Sequence, residues 1–451
     1  MAAAPAAEQM QSQPRSYLRG LRHDHLLQNS FFILLSTATM GLLGFLFWLV
    51  AARLFPLEQI GVATTLIAAT NLLSQVGLLG FNTTLITSLP SASARSDEID
   101  SAVLLVFAAT VAAALAYILI VPTFTPKLAF VGDSAPLVAG FALLTAFSAV
   151  NLLTDSVFIA YRAARFNFVV DGVIQGGAKL ALVAAVVGLG SYGLFLASGL
   201  AALAAVVASI TLLVLRFDYR PRLRIRVGVV RSAFRASAAN YVANLFNLLP
   251  IMALPLIVLN RRGPADAGLF FVAFQIANLL YAITYAVSQS LLAEGSHPGG
   301  SIGVLARRSA KIQAGVIVPA ALALALVAVP LLGIFGPVYR LHAVGTLVLL
   351  AAAAPAVALN TWTTALLRLT GSLGALVWSN VIFAATICLG ATAWASRGLS
   401  DVALAWLLGN LMSGIAGGVW LLTVRTRCLR PDRPQAGTGS TELAGVEAVG
   451  Q

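Results

Sequence analysis

Twelve apolar stretches of about 21–25 residues follow one another along this chain, each long enough as a helix to cross about 30 Å of hydrocarbon. No other feature restricts the fold as much. Inside lipid every backbone N–H and C=O must find its partner within the protein, so apolar segments of this length are read as bundled helices. Composition excludes the soluble alternative: of 451 residues, 59% are hydrophobic and only 10% charged, too few charges to cover a soluble domain of this size. The spans read as 29–52, 59–79, 101–121, 136–160, 168–189, 192–215, 236–259, 268–292, 312–334, 341–365, 372–395 and 401–423. The fold class is therefore all-α integral membrane, with about twelve transmembrane helices.

The polar sequence falls at the ends and in the middle. Residues 1–28 read as a cytoplasmic leader, too polar and too basic to begin a cleaved signal peptide. A first six-helix bundle spans 29–215, a basic cytoplasmic linker 216–235, a second six-helix bundle 236–423, and a disordered tail 424–451. With the N-terminus inside, 21 of the 28 Lys and Arg residues fall in inner segments and 6 in outer loops; Lys179 lies within a span. That asymmetry predicts cytoplasmic termini. The net charge of +12 then points to anionic membrane lipids as partners and away from nucleic acid.

The two halves carry an internal repeat. R-L-F-P-L-E-Q-I-G, beginning at Arg53, returns as R-R-G-P-A-D-A-G, beginning at Arg261. Arg53 aligns with Arg261, Pro56 with Pro264, Glu58 with Asp266, Gly61 with Gly268 and Asn71 with Asn278. Repeats of this kind in membrane transporters enclose a site at their interface. Arg53 and Arg261 fall at the outer rim, either as interfacial anchors paired with Glu58 and Asp266 or as outer contacts for an anion. Glu58 and Asp266 precede helix starts, where negative charge suits the macrodipole.

Polar stripes run through the spans beside the repeat. Ser237, Asn240, Asn244 and Asn247 are spaced +3, +4, +3, on one helix face. Gln275, Asn278, Tyr285 and Gln289 form a second stripe, and Thr64, Asn71, Gln75 and Asn82 a third. Singly, such groups serve as hydrogen-bonding contacts between helices. Three stripes in repeat-related helices point to a shared water-filled cavity, because lipid penalises continuous polar faces. Pro250 and Pro255 each remove a backbone donor from the seventh span, which makes either a fixed kink or a hinge.

Three ionisable residues are expected within the hydrocarbon: Asp155, Asp171 and Lys179. Each costs about 2.5–3.5 kcal/mol at a helix centre, so each needs a partner or a function. Lys179 lies about 16 Å into its span. Eight residues separate it from Asp171, about 12 Å along the axis and too far for direct contact. Either these groups form a buried network that fixes packing, or Lys179 faces the cavity and attracts an anion while Asp155 or Asp171 carries a coupling ion.

No HExxH, Walker A, GxSxG or CxxC pattern is present, and no cofactor or metal is implied. The chain reads as a non-enzyme. The run F-W-L-V-A-A-R-L-F-P-L-E-Q-I-G-V-A, with G-L-L-G-F-N after it, resembles the polysaccharide-transport branch of the MOP flippase superfamily, which includes O-antigen and exopolysaccharide flippases. The resemblance implies two six-helix bundles around a V-shaped central cavity in the bacterial inner membrane. It also implies that a polyprenyl-diphosphate-linked oligosaccharide moves from the inner to the outer leaflet by alternating access, for cell-surface polysaccharide biosynthesis. Cationic cavity residues of the family meet the diphosphate, and Lys179 is the basic residue expected deep enough. Pathway glycosyltransferases or a polymerase are implied partners.

Two other readings stay open: a MATE-type cation-coupled drug exporter, centred on Asp155 and Asp171, and a polytopic glycan polymerase or ligase. The latter needs a large outer loop with catalytic groups, whereas the longest here, about 122–135, holds only Lys127 and Asp133.

Overall fold

The computed structural model describes residues 25–91, 95–222, 227–295 and 302–428. Their long elements are helices α1 (His25–Leu54), α2 (Leu57–Gly77), α3 (Arg95–Phe124), α4 (Ala135–Ala160), α5 (Arg165–Ala185), α6 (Gly190–Arg216), α7 (Val227–Arg262), α8 (Pro264–Gly295), α9 (Ile302–Phe335), α10 (Val344–Leu369), α11 (Leu373–Trp394) and α12 (Leu399–Cys428). Eleven of them are apolar enough over at least 18 described residues to cross a membrane, and α1 adds a shorter apolar stretch, Thr39–Leu54.

Two helices depart from regular α geometry. Within α5, residues Phe168–Gln175 form a π-helix. In α10 the helix breaks at Ala353, just before Pro355, whose ring removes one donor from the ladder and crowds the preceding turn.

The helices pack in two groups. In the first, α5 lies along α1, while α4 contacts α2, α3 and α6. In the second, α11 contacts α7 and α12, and α10 contacts α8 and α12. The groups meet where α2 packs on α7 and α8. Both α2 and α8 begin at the same end of the bundle, at the repeated Pro56 and Pro264 turns, and this end is called the rim below. Gly263 makes the second turn with φ +105°, a conformation that glycine adopts without a Cβ penalty.

Gly61 and Gly268, the paired glycines of the repeat, meet each other here. A Cβ on Gly61 would run into the Pro264 carbonyl and the Gly268 nitrogen, and one on Gly268 into the Leu57 carbonyl. Two backbones cross at this point with no room for a side chain. Below the crossing the environment of α8 changes. From Ala267 to Asn278 no residue is exposed, whereas Leu279, Ala282, Ile283, Tyr285, Ala286, Gln289 and Ser290 all are. On α2 the first exposed residue after the crossing is Asn71, the repeat partner of Asn278. The central pair is closed at the rim and accessible toward the opposite end.

Several boundaries move. Helix α7 begins at Val227, so the basic stretch 216–235 shortens to a connection of about ten residues. Helix α12 runs to Cys428, through residues assigned from sequence to the tail. Residues 1–24 and 429–451, which hold nearly all of the leader and the rest of the tail, lie outside the described residues.

Candidate functional site

Three cavities form a chain through the middle of the molecule. The first, about 260 Å³, lies within the N-terminal half and is bordered by Asn71, Asn151, Asp155, Asp171, Gln175, Lys179 and Ser198, among others. The second, about 160 Å³, lies just below the rim between the halves and is bordered by Trp48, Thr64, Asn71, Lys179, Pro255, Phe271 and Gln275. The third, about 190 Å³, lies in the C-terminal half and is bordered by Asn244, Asn247, Tyr285, Gln289, Asn360, Asn410 and Arg368. Asn71 and Lys179 border both the first and second, and Ile251 both the second and third. Polar residues from both halves thus line one path.

The carboxyl groups sit in the first cavity. Asp171 projects from the π segment of α5, is 3% exposed, and accepts a hydrogen bond from Asn151 Nδ2 at 2.9 Å. Asp155, from α4, interacts directly with Asp171. Asn167 Nδ2 donates to the Asp155 backbone carbonyl at 3.3 Å. Around this pair, Asn151 Oδ1, Asp155 Oδ1, Gln175 Oε1 and Ser198 Oγ are all buried without a hydrogen-bond partner among the described residues. Buried oxygens are normally satisfied. Four unsatisfied ones on a single cavity describe a place suited to a proton, a water or a hard cation that prefers oxygen ligands.

Lys179 stands at the junction of the first two cavities. Its Nζ lies 4.4 Å from the Phe47 ring centroid and 5.8 Å from that of Trp48, and both rings are buried. Among the described residues Lys179 makes no hydrogen bond or ion pair. The ring faces hold the ammonium and leave its three donors for something else. The packing network of Asp155, Asp171 and Lys179 allowed for in the sequence is therefore divided: the acids join each other, and the lysine stands apart from them.

The π segment explains how both ends of this stretch reach one cavity. Eight residues of straight α-helix rotate by about 80° beyond whole turns. A π turn, closed by i→i+5 bonds, holds more residues than an α turn, and it brings Asp171, Gln175 and Lys179 to the same cavity. Nothing in F-V-V-D-G-V-I-Q announces a π-helix, so this feature was not legible in the sequence.

The polar stripes reach the path unevenly. Asn71, Gln275, Asn244, Asn247, Tyr285, Gln289 and Thr64 border it. Asn278 instead donates to Gln275 Oε1 at 3.4 Å, and neither Asn278, Gln75 nor Asn82 borders the three cavities. The side chain of Asn240 lies outside the described residues. Pro255 borders the central cavity, and its carbonyl accepts from Thr65 Oγ1 at 3.4 Å across the halves. Pro250 borders none.

At the rim, Arg53 donates to the Ile334 carbonyl of the other half, and among the described residues it forms no ion pair with Glu58. Arg262, not Arg261, pairs with Asp266, reaching across the Gly263 turn between α7 and α8. Arg261 is exposed and makes no hydrogen bond among the described residues. Lys127 Nζ donates to the Leu259 carbonyl at 3.2 Å, and Asn260 Nδ2 to Thr125 Oγ1 at 3.3 Å, both across the halves. Rings add Phe45 against Phe335 and Trp48 against Phe271.

Sequence reasoning missed Arg368, which was counted as a loop charge. Its signal was the spacing of Asn360, Thr364 and Arg368, four residues apart on one face of α10. Asn151 was missed as well, although it lies one turn before Asp155.

The sequence profile of a family described as "Polysaccharide biosynthesis protein" matches residues 50–337. No curated protein matches the chain significantly in sequence. Among solved structures, an inward-facing multidrug resistance MATE family transporter of the MOP superfamily superposes with TM-score 0.67 at 14% identity, covering 87% of this chain and 96% of that one. The lipid II flippase MurJ in an inward closed conformation gives TM-score 0.66 at 11% identity, covering 88% and 87%. A MOP superfamily transporter from Pyrococcus furiosus gives 0.57 at 12% identity, covering 90% and 96%. At these identities the likeness is one of fold, and it is the all-α membrane class that the sequence led us to expect.

Proposed function

This chain belongs to the polysaccharide biosynthesis protein family, and from that premise we propose that it is a flippase carrying a polyprenyl-diphosphate-linked oligosaccharide from the inner to the outer leaflet. It acts as a transporter and not as an enzyme. The single observation that carries the reading is the chain of polar cavities through both halves beneath a closed rim, with a lysine among them that has no counter-ion among the described residues. A glycan cannot cross hydrocarbon without polar contacts, and amides and hydroxyls supply both donors and acceptors for sugar hydroxyls.

In this reading the linker end faces the cytoplasm of a bacterial inner membrane, as the Lys and Arg asymmetry suggests, and the substrate enters there. Lys179 attracts the diphosphate. Asp155 and Asp171, with the unsatisfied oxygens around them, take up the coupling proton or cation, because two buried carboxyl groups in contact resist ionising together. Helix α7 bends at Pro250 and Pro255 as access changes sides. Glycosyltransferases and a polymerase of the same pathway precede and follow the step.

The oxygen-rich first cavity also suits the drug exporter, so one experiment addresses both. Purified protein in liposomes is given a labelled polyprenyl-diphosphate glycan in one leaflet, and in parallel a cationic dye with an ion gradient. Movement of the glycan lipid is expected. Dye exchange with an immobile glycan lipid would replace this reading with the exporter.

A further inference from the structure

Two contacts fasten the halves together at the rim by setting a cation on a backbone oxygen. Arg53, in the last turn of α1, donates to the Ile334 carbonyl at the end of α9. Lys127, just after α3, donates through Nζ to the Leu259 carbonyl near the end of α7 at 3.2 Å. Neither acceptor is an acid. Ile334 and Leu259 fall among the last four residues of their helices, at the negative end of the helix dipole, where a cation is favoured. Lys127 also fits the turn that follows α7. Its Nζ lies 3.3 Å from where a Cβ on Gly263 would stand, so the bare glycine gives the ammonium access to the helix end.

The two contacts occupy equivalent places in the repeat. Helices α1 and α7 come first in their halves, and α3 and α9 third. One contact joins α1 to α9 and the other joins the end of α3 to α7. Each has a second member: the Phe45 ring meets the Phe335 ring at 5.4 Å, and Asn260 Nδ2 donates to Thr125 Oγ1 at 3.3 Å. The chemistry does not follow the symmetry. Both cations come from the N-terminal half and both carbonyls from the C-terminal half. Arg261, the repeat partner of Arg53, is exposed and makes no hydrogen bond among the described residues.

Such a contact suits a surface that has to part. Arg53 and Lys127 are both exposed, so on separation water replaces the carbonyl for the cation and the cation for the carbonyl, and the net loss is small. A buried ion pair at the same place would leave two stranded charges. A cation on a helix end therefore closes the rim without locking it.

We propose that Arg53 and Lys127 are paired latches of the rim: through them the N-terminal half grips the carbonyl ends of α9 and α7, and it releases both when the path opens at that end. The inference rests on the flippase reading for the need to open, and it gives Arg53 a conformational role in place of an outer contact for an anion.

Distances between spin labels at Glu58 and Arg261 test it, in the full chain reconstituted in liposomes with Cys388 and Cys428 replaced by Ser. Arg53→Met and Lys127→Met remove the donors and keep most of the length. Each is expected to raise the ratio of long to short rim distances about two- to five-fold, and the double variant about ten-fold. Arg53→Lys and Lys127→Arg, which keep a cation, are expected to hold the ratio near that of wild type. Arg340→Met removes an exposed charge whose side chain makes no hydrogen bond among the described residues, and it should leave the ratio unchanged. The single variants act on separate helix ends, so misfolding of one leaves the other to decide. A double variant with wild-type distances overturns the latches, and so does an equal lengthening in Arg340→Met. Movement of a labelled polyprenyl-diphosphate glycan is measured in the same wild-type liposomes. An immobile glycan lipid beside latch-dependent distances overturns the flippase reading alone.

Discussion

Lys179 shows how a buried charge is read from its neighbours. Its ammonium rests on aromatic rings and not on a carboxylate, so its removal strands no opposite charge. Lys179→Ala is therefore expected to fold normally, with a loss of about 0.5–2 kcal/mol from the ring contacts, while its affinity for a polyprenyl-diphosphate glycan falls about ten-fold. Thermal unfolding and probe binding measured on the same sample check this. Severe unfolding with unchanged affinity in the folded fraction would assign Lys179 to packing alone. A different buried pair anchors the connection between the halves. Tyr219 donates from its hydroxyl to Asp100, and the Arg222 backbone N–H donates to the other Asp100 oxygen at 2.7 Å. Burial, and then the hydrogen bond and charge of Asp100, hold the Tyr219 hydroxyl well above its usual pKa, so it remains a donor throughout the ordinary pH range. A raised folded-state pKa contributes stability below the unfolded value of about 10 and loses it as pH rises through the folded value. Tyr219→Phe should cost about 1–3 kcal/mol and flatten that alkaline loss in a melting-temperature series. An alkaline limb identical to wild type would show that Tyr219 does not carry it.

At the scale of elements, the repeat was legible as two similar halves, but its meaning emerged only in three dimensions. The sequence could align Gly61 with Gly268; it could not reveal that the two glycines touch, since long-range contact between helices leaves no local pattern. Their crossing explains why neither position carries a side chain. Gly61→Leu or Gly268→Leu should force the rim apart and lower transport at least ten-fold, with spin labels at Glu58 and Arg261 reporting a longer distance than in wild type. An unchanged distance in either variant would contradict the crossing as the closing contact. The π segment teaches a related lesson. Counting residues at 3.6 per turn correctly kept Asp171 and Lys179 out of direct contact, yet it placed them about 80° apart, whereas both border one cavity.

At the scale of the molecule, apolar length and low charge were enough to specify the helices and the all-α membrane class, because hydrophobic length is a local property of the chain. The site was only partly legible. Stripes at +3 and +4 spacing singled out Asn71, Asn244, Asn247, Tyr285 and Gln275, which border the cavities, while Arg368 escaped because a charge at a helix end looks the same in sequence whether it turns to the headgroups or borders a cavity. The division of charge between the lobes, acids and a lysine in one and, among the described residues, an arginine in the other, is likewise a property of packing that the repeat conceals. The central claim is that one path opens alternately at its two ends. Distances between paired spin labels test it most directly in reconstituted protein whose Cys388 and Cys428 are replaced by Ser: one pair at Glu58 and Arg261 on the rim, the other at Arg95 and Glu294 toward the opposite end. On adding a polyprenyl-diphosphate glycan and changing pH, the account predicts that the rim distance lengthens as the other shortens. Two distances that stay fixed, or lengthen together, while the lipid-linked glycan still crosses the bilayer would contradict it.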